Sequence, residues 1–169
     1  MPAAQEALAM TPKKVLVPLD GSQLAELALP EAFEFARGGA TLVLLRAAEA
    51  ARLPAVDPTE SQVAVVREAE TYLAGVAERA AKAGVPNVET SVWYGPAAES
   101  IIDAAHTRGV DLIVMSSHGR SGVGRLVLGS VAEAVLRGTR TPILLLRSHE
   151  ASITPPAEGT AASTEAANV

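Results

Sequence analysis

"DLIVMSSHGRSGVGRLVLGSVAEAVLR", residues 111–137, sets an apolar run, Asp111–Met115, against a helical run, Val131–Arg137, across a loop that holds Gly119, Gly122, Gly124 and Gly129. A plain connection needs one or two glycines, because each adds unfolded-chain entropy that folding must overcome. A surplus points to a backbone that curls tightly or comes close to a ligand. Bare N–H groups at the start of the following helix favour an anion in that place.

The same alternation of apolar run and helical stripe extends through the chain. Strands are expected at "KVLVPL" (14–19), "TLVLL" (41–45), "VETSVW" (88–93), "DLIVM" (111–115) and "PILLL" (142–146). Four are continuous apolar runs, which imply burial on both faces, as in a parallel sheet between helices. The third sets Val88, Thr90 and Val92 against polar neighbours and belongs at an edge. Helical stripes fall between them. The first runs over Ala25, Ala28, Leu29, Ala32, Phe33 and Ala36, with a kink expected at Pro30, and Gly38-Gly39 ends it. The second runs from Val63 through Val66, Ala69, Leu73 and Val76 to Ala80. The third takes Ala98, Ile101, Ile102 and Ala105, with Pro96 in its first turn, and the fourth Val131, Ala134 and Val135, ending at Gly138. With right-handed crossovers this order gives an α/β fold: a doubly wound, five-stranded parallel sheet of strand order 3-2-1-4-5 with helices on both faces.

Composition narrows the function. The 169-residue chain is 49% hydrophobic and 3% aromatic, so its core is aliphatic and offers few stacking platforms for bases. Its net charge is −5 and its basic residues are scattered, leaving no electrostatic footprint for nucleic acid or an anionic membrane. It has no cysteine, which excludes disulfides, thiol catalysis and thiolate metal sites. "MPAAQEALAM" lacks the features of a signal peptide, and no apolar run nears the roughly 20 residues of a spanning helix. A soluble, cytoplasmic protein is expected, with residues 1–12 flexible, one α/β domain over 13–147, and a disordered tail over 148–169. The stretch "AAEAARLPAVDPTE" (47–60) reads as a surface flap.

In such a sheet a ligand gathers at the carboxyl ends of the strands where the winding reverses, here between strands one and four. Those ends carry "PLDGS" (18–22) and the glycine loop. Each has a plainer reading. Asp20-x-x-Gln23 and Ser130-x-x-Glu133 have the spacing of capping boxes, and Ser22 also suits a cap. Capping and phosphate binding use the same free N–H groups, and capping does not need the extra glycines. There is no Gly-Lys-Ser/Thr, and "GRSGVG" fits neither a dinucleotide fingerprint nor a nucleophile elbow. His106, His118 and His149 show no metal spacing; His118 is a polar loop residue or a contact at the ligand's edge rather than a general base.

Together "VLVPLDGS", "DLIVMSSHGRSG" and "LVLGSVAEAVLRGTRTPILLLR" resemble the universal stress protein family, over about Lys14 to Arg147. Nucleotide-binding members of that family carry Gly-x2-Gly-x9-Gly-Ser/Thr after the fourth strand. Gly119, Gly129 and Ser130 match it, and Ser116 stands in place of the first glycine. The resemblance implies ATP or a related adenine nucleotide, with Mg2+. Leu19 and Asp20 would lie beside the nucleotide, with Asp20 reaching the metal rather than the phosphate itself. Ala47 would meet the adenine through its backbone. Ser116 and Gly119 would lie by the ribose and first phosphates, with His118 as a contact at the ligand's edge, and Gly129, Ser130 and Val131 would hold the outer phosphates. Arg120 and Arg125 either add charge or are solvated surface. The function implied is a stress-response regulator that signals to an unknown protein partner. The alternatives are a nucleotide-independent, chaperone-like dimer and, ranked below it, a slow ATPase or self-phosphorylating enzyme. "PILLL" (142–146), an apolar edge strand, is expected to pair with its twin in a homodimer, as the family also suggests.

Overall fold

Val15, Leu16 and Val17, Leu42–Leu45, and Ile113 with Val114 are shut off from solvent, and a strand buried on both faces can stand only inside a sheet covered by helices on each side. The structure, a computed structural model, describes residues 11–49, 58–117 and 128–147. Its strands are β1 (Lys14–Pro18), β2 (Thr41–Ala48), β3 (Val88–Tyr94), β4 (Leu112–Ser116) and β5 (Ile143–Leu146). They form one parallel sheet in the order β3-β2-β1-β4-β5, the expected topology.

The helices are α1 (Gln23–Glu26), α2 (Leu29–Arg37), α3 (Pro58–Lys82), α4 (Ala97–Thr107) and α5 (Ser130–Gly138). Alternate strand residues face opposite ways, and two separate cores result. Val15, Val17, Leu42, Leu44 and Val114 pack under α1, α2 and α3. Leu16, Val43, Leu45, Ile113 and Met115 pack under α4 and α5. No helix among the described residues is long and apolar enough to cross a membrane.

Several local expectations need correction. Pro30 does not kink one helix; it separates two. Leu27 and Ala28 turn back tightly, their N–H groups donating to Leu24 and Ala25, and Pro30 falls in the first turn of α2, where a missing N–H costs nothing. Val63 is 44% exposed rather than part of a buried stripe, which is firm only over Ala69, Leu73, Val76 and Ala80. Length explains it: the 25 residues of α3 span ~37 Å and the seven of β3 ~23 Å, so the helix overhangs the sheet. Ala47 and Ala48 extend β2 and Pro58–Glu60 begin α3, so the expected flap shrinks to a segment whose residues 50–57 lie outside the described ones, as do the terminal residues 1–10 and 148–169. In α5 the buried residues are Ala132 and Val135, while Val131 is 38% exposed.

Strand β3 is at the edge, as its alternation predicts, yet its polar face is not the wet one. Thr90 is exposed and Ser91 is buried, because α4 covers the face on which Ser91 and Trp93 stand.

Polar contacts fasten the sheet at its amino edge. Asp111 Oδ2 accepts the N–H groups of both Lys13 and Lys14 at 2.9 Å, and Lys14 Nζ reaches the carbonyl of Arg108 at 3.2 Å. One carboxylate thereby ties the start of β1 to the start of β4. On the opposite side, Arg79 of α3 grips Glu26 of α1 with two hydrogen bonds of 2.9 Å, and the Tyr72 hydroxyl donates to the same carboxylate at 2.8 Å. The bonds from Arg79, with a smaller contribution from Tyr72, hold the Glu26 carboxyl below its ordinary range against the opposing pull of burial. Burial first, and then donation to Glu26, pushes the Tyr72 phenol up.

A carboxyl lowered in the folded state stabilises above its unfolded pKa and loses that contribution as pH falls through the folded one. Glu26→Gln is therefore expected to cost about 1 kcal/mol near neutral pH and less near pH 3, since the contribution shrinks as pH falls towards the lowered folded pKa and the wild-type carboxyl takes up its proton. Urea unfolding of both proteins at the two pH values checks this; an equal loss at both would refute the assignment.

Candidate functional site

Reversal of the winding parts the loops after β1 and β4, and a cavity of about 400 Å³ opens between them at the carboxyl edge. Its apolar wall is made by Leu45, Ile101 and Met115. Leu19 and Asp20 close one side and Ser116 and Ser117 another. The first turn of α5, with Gly129, Ser130 and Val131, faces the opening.

Seven residues singled out from sequence meet around this cavity: Leu19, Asp20, Ala47, Ser116, Gly129, Ser130 and Val131. His118 and Gly119, with Arg120 and Arg125, lie outside the described residues. The sequence reading missed Ser117, only 3% exposed, and treated Ile101 and Met115 as core alone. Their signal was present but ambiguous, since an apolar residue at the end of a strand or on a helix stripe reads the same whether it meets a neighbour or a ligand.

Backbone geometry gives Ala47 its place. It lies within β2 rather than just after it, and β2 outlasts β1 by several residues. The last link to β1's chain is Leu19 N–H to the carbonyl of Leu45 at 2.8 Å, and Gly95 N–H reaches the carbonyl of Ala48 from the β3 side. Backbone groups alternate sides along a strand. The N–H and C=O of Ala47 therefore project the same way as those of Leu45, to the side where β1 has ended and the cavity begins.

The loop after β1 is held by its own side chains. Asp20 Oδ1 accepts from Ser22 N–H at 2.9 Å, and Ser22 Oγ accepts from Ala25 N–H at 3.1 Å. Ser22 is thus the cap of α1, and Asp20 shapes the turn instead of capping. Gly21 between them has φ +83°, the left-handed region that disfavours side chains. The Arg46 guanidinium lies 3.5 Å from where a Cβ on Gly21 would sit, stacked 5.0 Å over the Tyr72 ring and bonded to Glu68 at 2.9 Å. A flat cation therefore supports this loop from behind.

The start of α5 is built differently. Gly129, not Ser130, is its cap, and no side chain among the described residues bonds to the first turn. Gly129 donates its N–H to Ser117 at 2.8 Å, and its carbonyl accepts from Glu133 N–H at 2.9 Å. Glu133 itself pairs with Arg137 at 2.7 Å, so the capping box expected at Ser130 does not form. The N–H groups of Ser130, Val131 and Ala132 have no acceptor among the described residues and stand at the positive end of the helix dipole.

The universal stress protein family model matches residues 11–147. A Staphylococcus haemolyticus protein named as a universal stress protein is 33% identical over 145 residues, covering 83% of this chain and 88% of its own. The chain spans 45% of the length of the mycobacterial relatives that it also matches. Among solved structures, universal stress protein UspA from Lactobacillus plantarum superposes with a TM-score of 0.70 at 28% identity, over 80% of this chain and 97% of that one. A universal stress protein solved in complex with cAMP shares the fold at a TM-score of 0.63 and 22% identity, over 80% of this chain and 97% of that one.

The two serines are expected to part company on mutation. Ser22→Ala removes a working cap and should lower stability by about 1 kcal/mol, whereas Ser130→Ala removes none and should leave the denaturation midpoint unchanged. Chemical denaturation of both variants is the check, and a comparable loss at Ser130 would contradict the assignment.

Proposed function

The chain belongs to the universal stress protein family, and from that premise we propose that it binds ATP or a related adenine nucleotide with Mg2+ and acts in the cytoplasm as a stress-response regulator whose partner contacts depend on the nucleotide. The observation that carries this reading is Gly129. Its φ of −60° and ψ of 147° suit any residue, so glycine is not needed there for the backbone. It lines the cavity directly before three N–H donors that have no acceptor among the described residues, where a residue without a side chain lets a phosphate approach the backbone.

The remaining chemistry fits the same ligand. Ser130, Val131 and Ala132 donate backbone N–H groups to phosphate oxygens without charge on the protein. Asp20 is the acidic residue among the described ones that line the cavity, and no cluster of three or more His, Cys, Asp or Glu among the described residues could hold a metal alone. A single carboxylate is what Mg2+ uses when phosphate oxygens and water complete its shell. The ion, when bound, offsets phosphate charge that the carboxylate would otherwise repel. At the other end, the backbone of Ala47 offers a donor and an acceptor to the base edge, over the apolar surface of Leu45 and Ile101. The relative solved with cAMP is a protein of this fold that holds an adenine nucleotide.

We propose a homodimer through residues 142–146 on separate grounds. Every residue of β5 is only half-buried and the strand has a neighbour on one side, β4. An apolar edge of this kind invites a second strand.

With Mg-ATP at about a hundred times its dissociation constant, the folded state should gain roughly 2.7 kcal/mol, a melting shift of several degrees. Gly129→Val should stay folded and lose the shift, because valine accepts that backbone geometry but fills the space. No shift in the unmutated protein with any adenine nucleotide at millimolar concentration would overturn the proposal. For the dimer, sedimentation at micromolar concentration should give twice the chain mass, and Leu145→Lys should halve it; a monomeric wild type would refute this pairing.

A further inference from the structure

We propose that Trp93, which stands one strand beyond the lining residue Ala47, is a specificity-determining residue of the nucleotide site and closes its base end on the β3 side. This rests on the nucleotide reading above. The chain has one tryptophan, two tyrosines and two phenylalanines. Phe33, Phe35 and Tyr72 pack into the core under α1–α3, and Tyr94 is 52% exposed. Trp93 alone joins the other core, whose Leu45, Ile101 and Met115 form the apolar wall of the cavity.

Register brings it beside the base end. Trp93 on β3 is the direct partner of Ala47 on β2, and partners in a parallel pair project to the same face. Ala47 lines the cavity, so the indole rises one strand further out, half-buried. Its ring orientation is fixed. The indole Nε1–H donates to Ser91 Oγ at 3.1 Å, and Ser91 is itself only 6% exposed. That bond turns the one polar atom of the ring back along β3, away from the carboxyl edge. What remains for the ligand is apolar ring surface, suited to a flat purine and indifferent to ribose or phosphate. A buried serine on an edge strand, otherwise unexpected, thereby has a role: it aims the indole.

Trp93 is the only indole in the chain, so its emission reports on this wall alone. The full-length protein is titrated with ATP, CTP and inorganic tripolyphosphate, following indole fluorescence and binding heat together. ATP is expected to change the emission in step with the heat, and tripolyphosphate to bind without changing it. Trp93→Leu should weaken ATP by about tenfold while leaving tripolyphosphate affinity as it was, and should bring ATP and CTP to similar affinities. Trp93→Phe, which keeps a ring, should restore most of the preference. Unchanged tripolyphosphate binding shows that the variants are folded. Binding of ATP with a silent indole and no loss of preference in Trp93→Leu would overturn the inference alone. Absence of any nucleotide binding by calorimetry would overturn the nucleotide reading and this inference with it.

Discussion

A parallel strand can be reached from its predecessor only by a right-handed crossover, and most of this molecule follows from that constraint. The chain winds outward from β1 through β2 to β3 with α1–α3 on one face, and to place β4 on the far side of β1 it must then carry α4 over the other. The loops after β1 and β4 are thereby sent apart. No side chain has to be spent on opening a cavity, because the topology leaves one where the two cores meet.

Gly129, which lines that cavity, and Gly21, in the loop after β1, stand under different constraints. Gly21 stands at φ +83° with the Arg46 guanidinium behind it, so its backbone conformation is what demands glycine. Gly129 sits at φ −60°, where any residue is at ease, so its backbone makes no such demand. The two serines form a similar contrast: Ser22 is a cap, and Ser130 is a helical residue whose N–H has no acceptor among the described residues. One loop is locked by its own side chains, while no side chain among the described residues meets the other helix start.

Sheet order, edge strands and the place of the cavity were legible because they depend on the sum of many apolar contacts, to which every strand contributes. Four continuous runs and one alternating run sufficed. Local choices of one or two hydrogen bonds were not. Asp20-x-x-Gln23 and Ser130-x-x-Glu133 have the same spacing, yet a cap forms at Ser22 in the first case and Glu133 turns to Arg137 in the second. Pro30 was rightly read as a disruption, but a kinked helix and two short ones differ by a few backbone bonds. Ser91 is buried although alternation at an edge implies a wet polar side, since nothing in "VETSVW" tells which face α4 will cover. Ala47 lines the site through its backbone, which carries no sequence signature; only the family resemblance pointed to it.

The Asp111 clasp has a mechanical corollary. Pulling on the chain ahead of Lys13 loads β1 along its length, between two strands parallel to it, so the bonds to β2 and β4 are strained in shear and must yield together instead of opening one by one. The carboxylate braces the very residues at which such a force arrives, Lys13 and Lys14. Within one protomer the opposite end of the domain is softer, because there β5 has a single neighbour, β4, and can be peeled away. Resistance to forced unfolding is thus directional, and an unfolding machine would find this domain far easier to dismantle from its last strand than from its first.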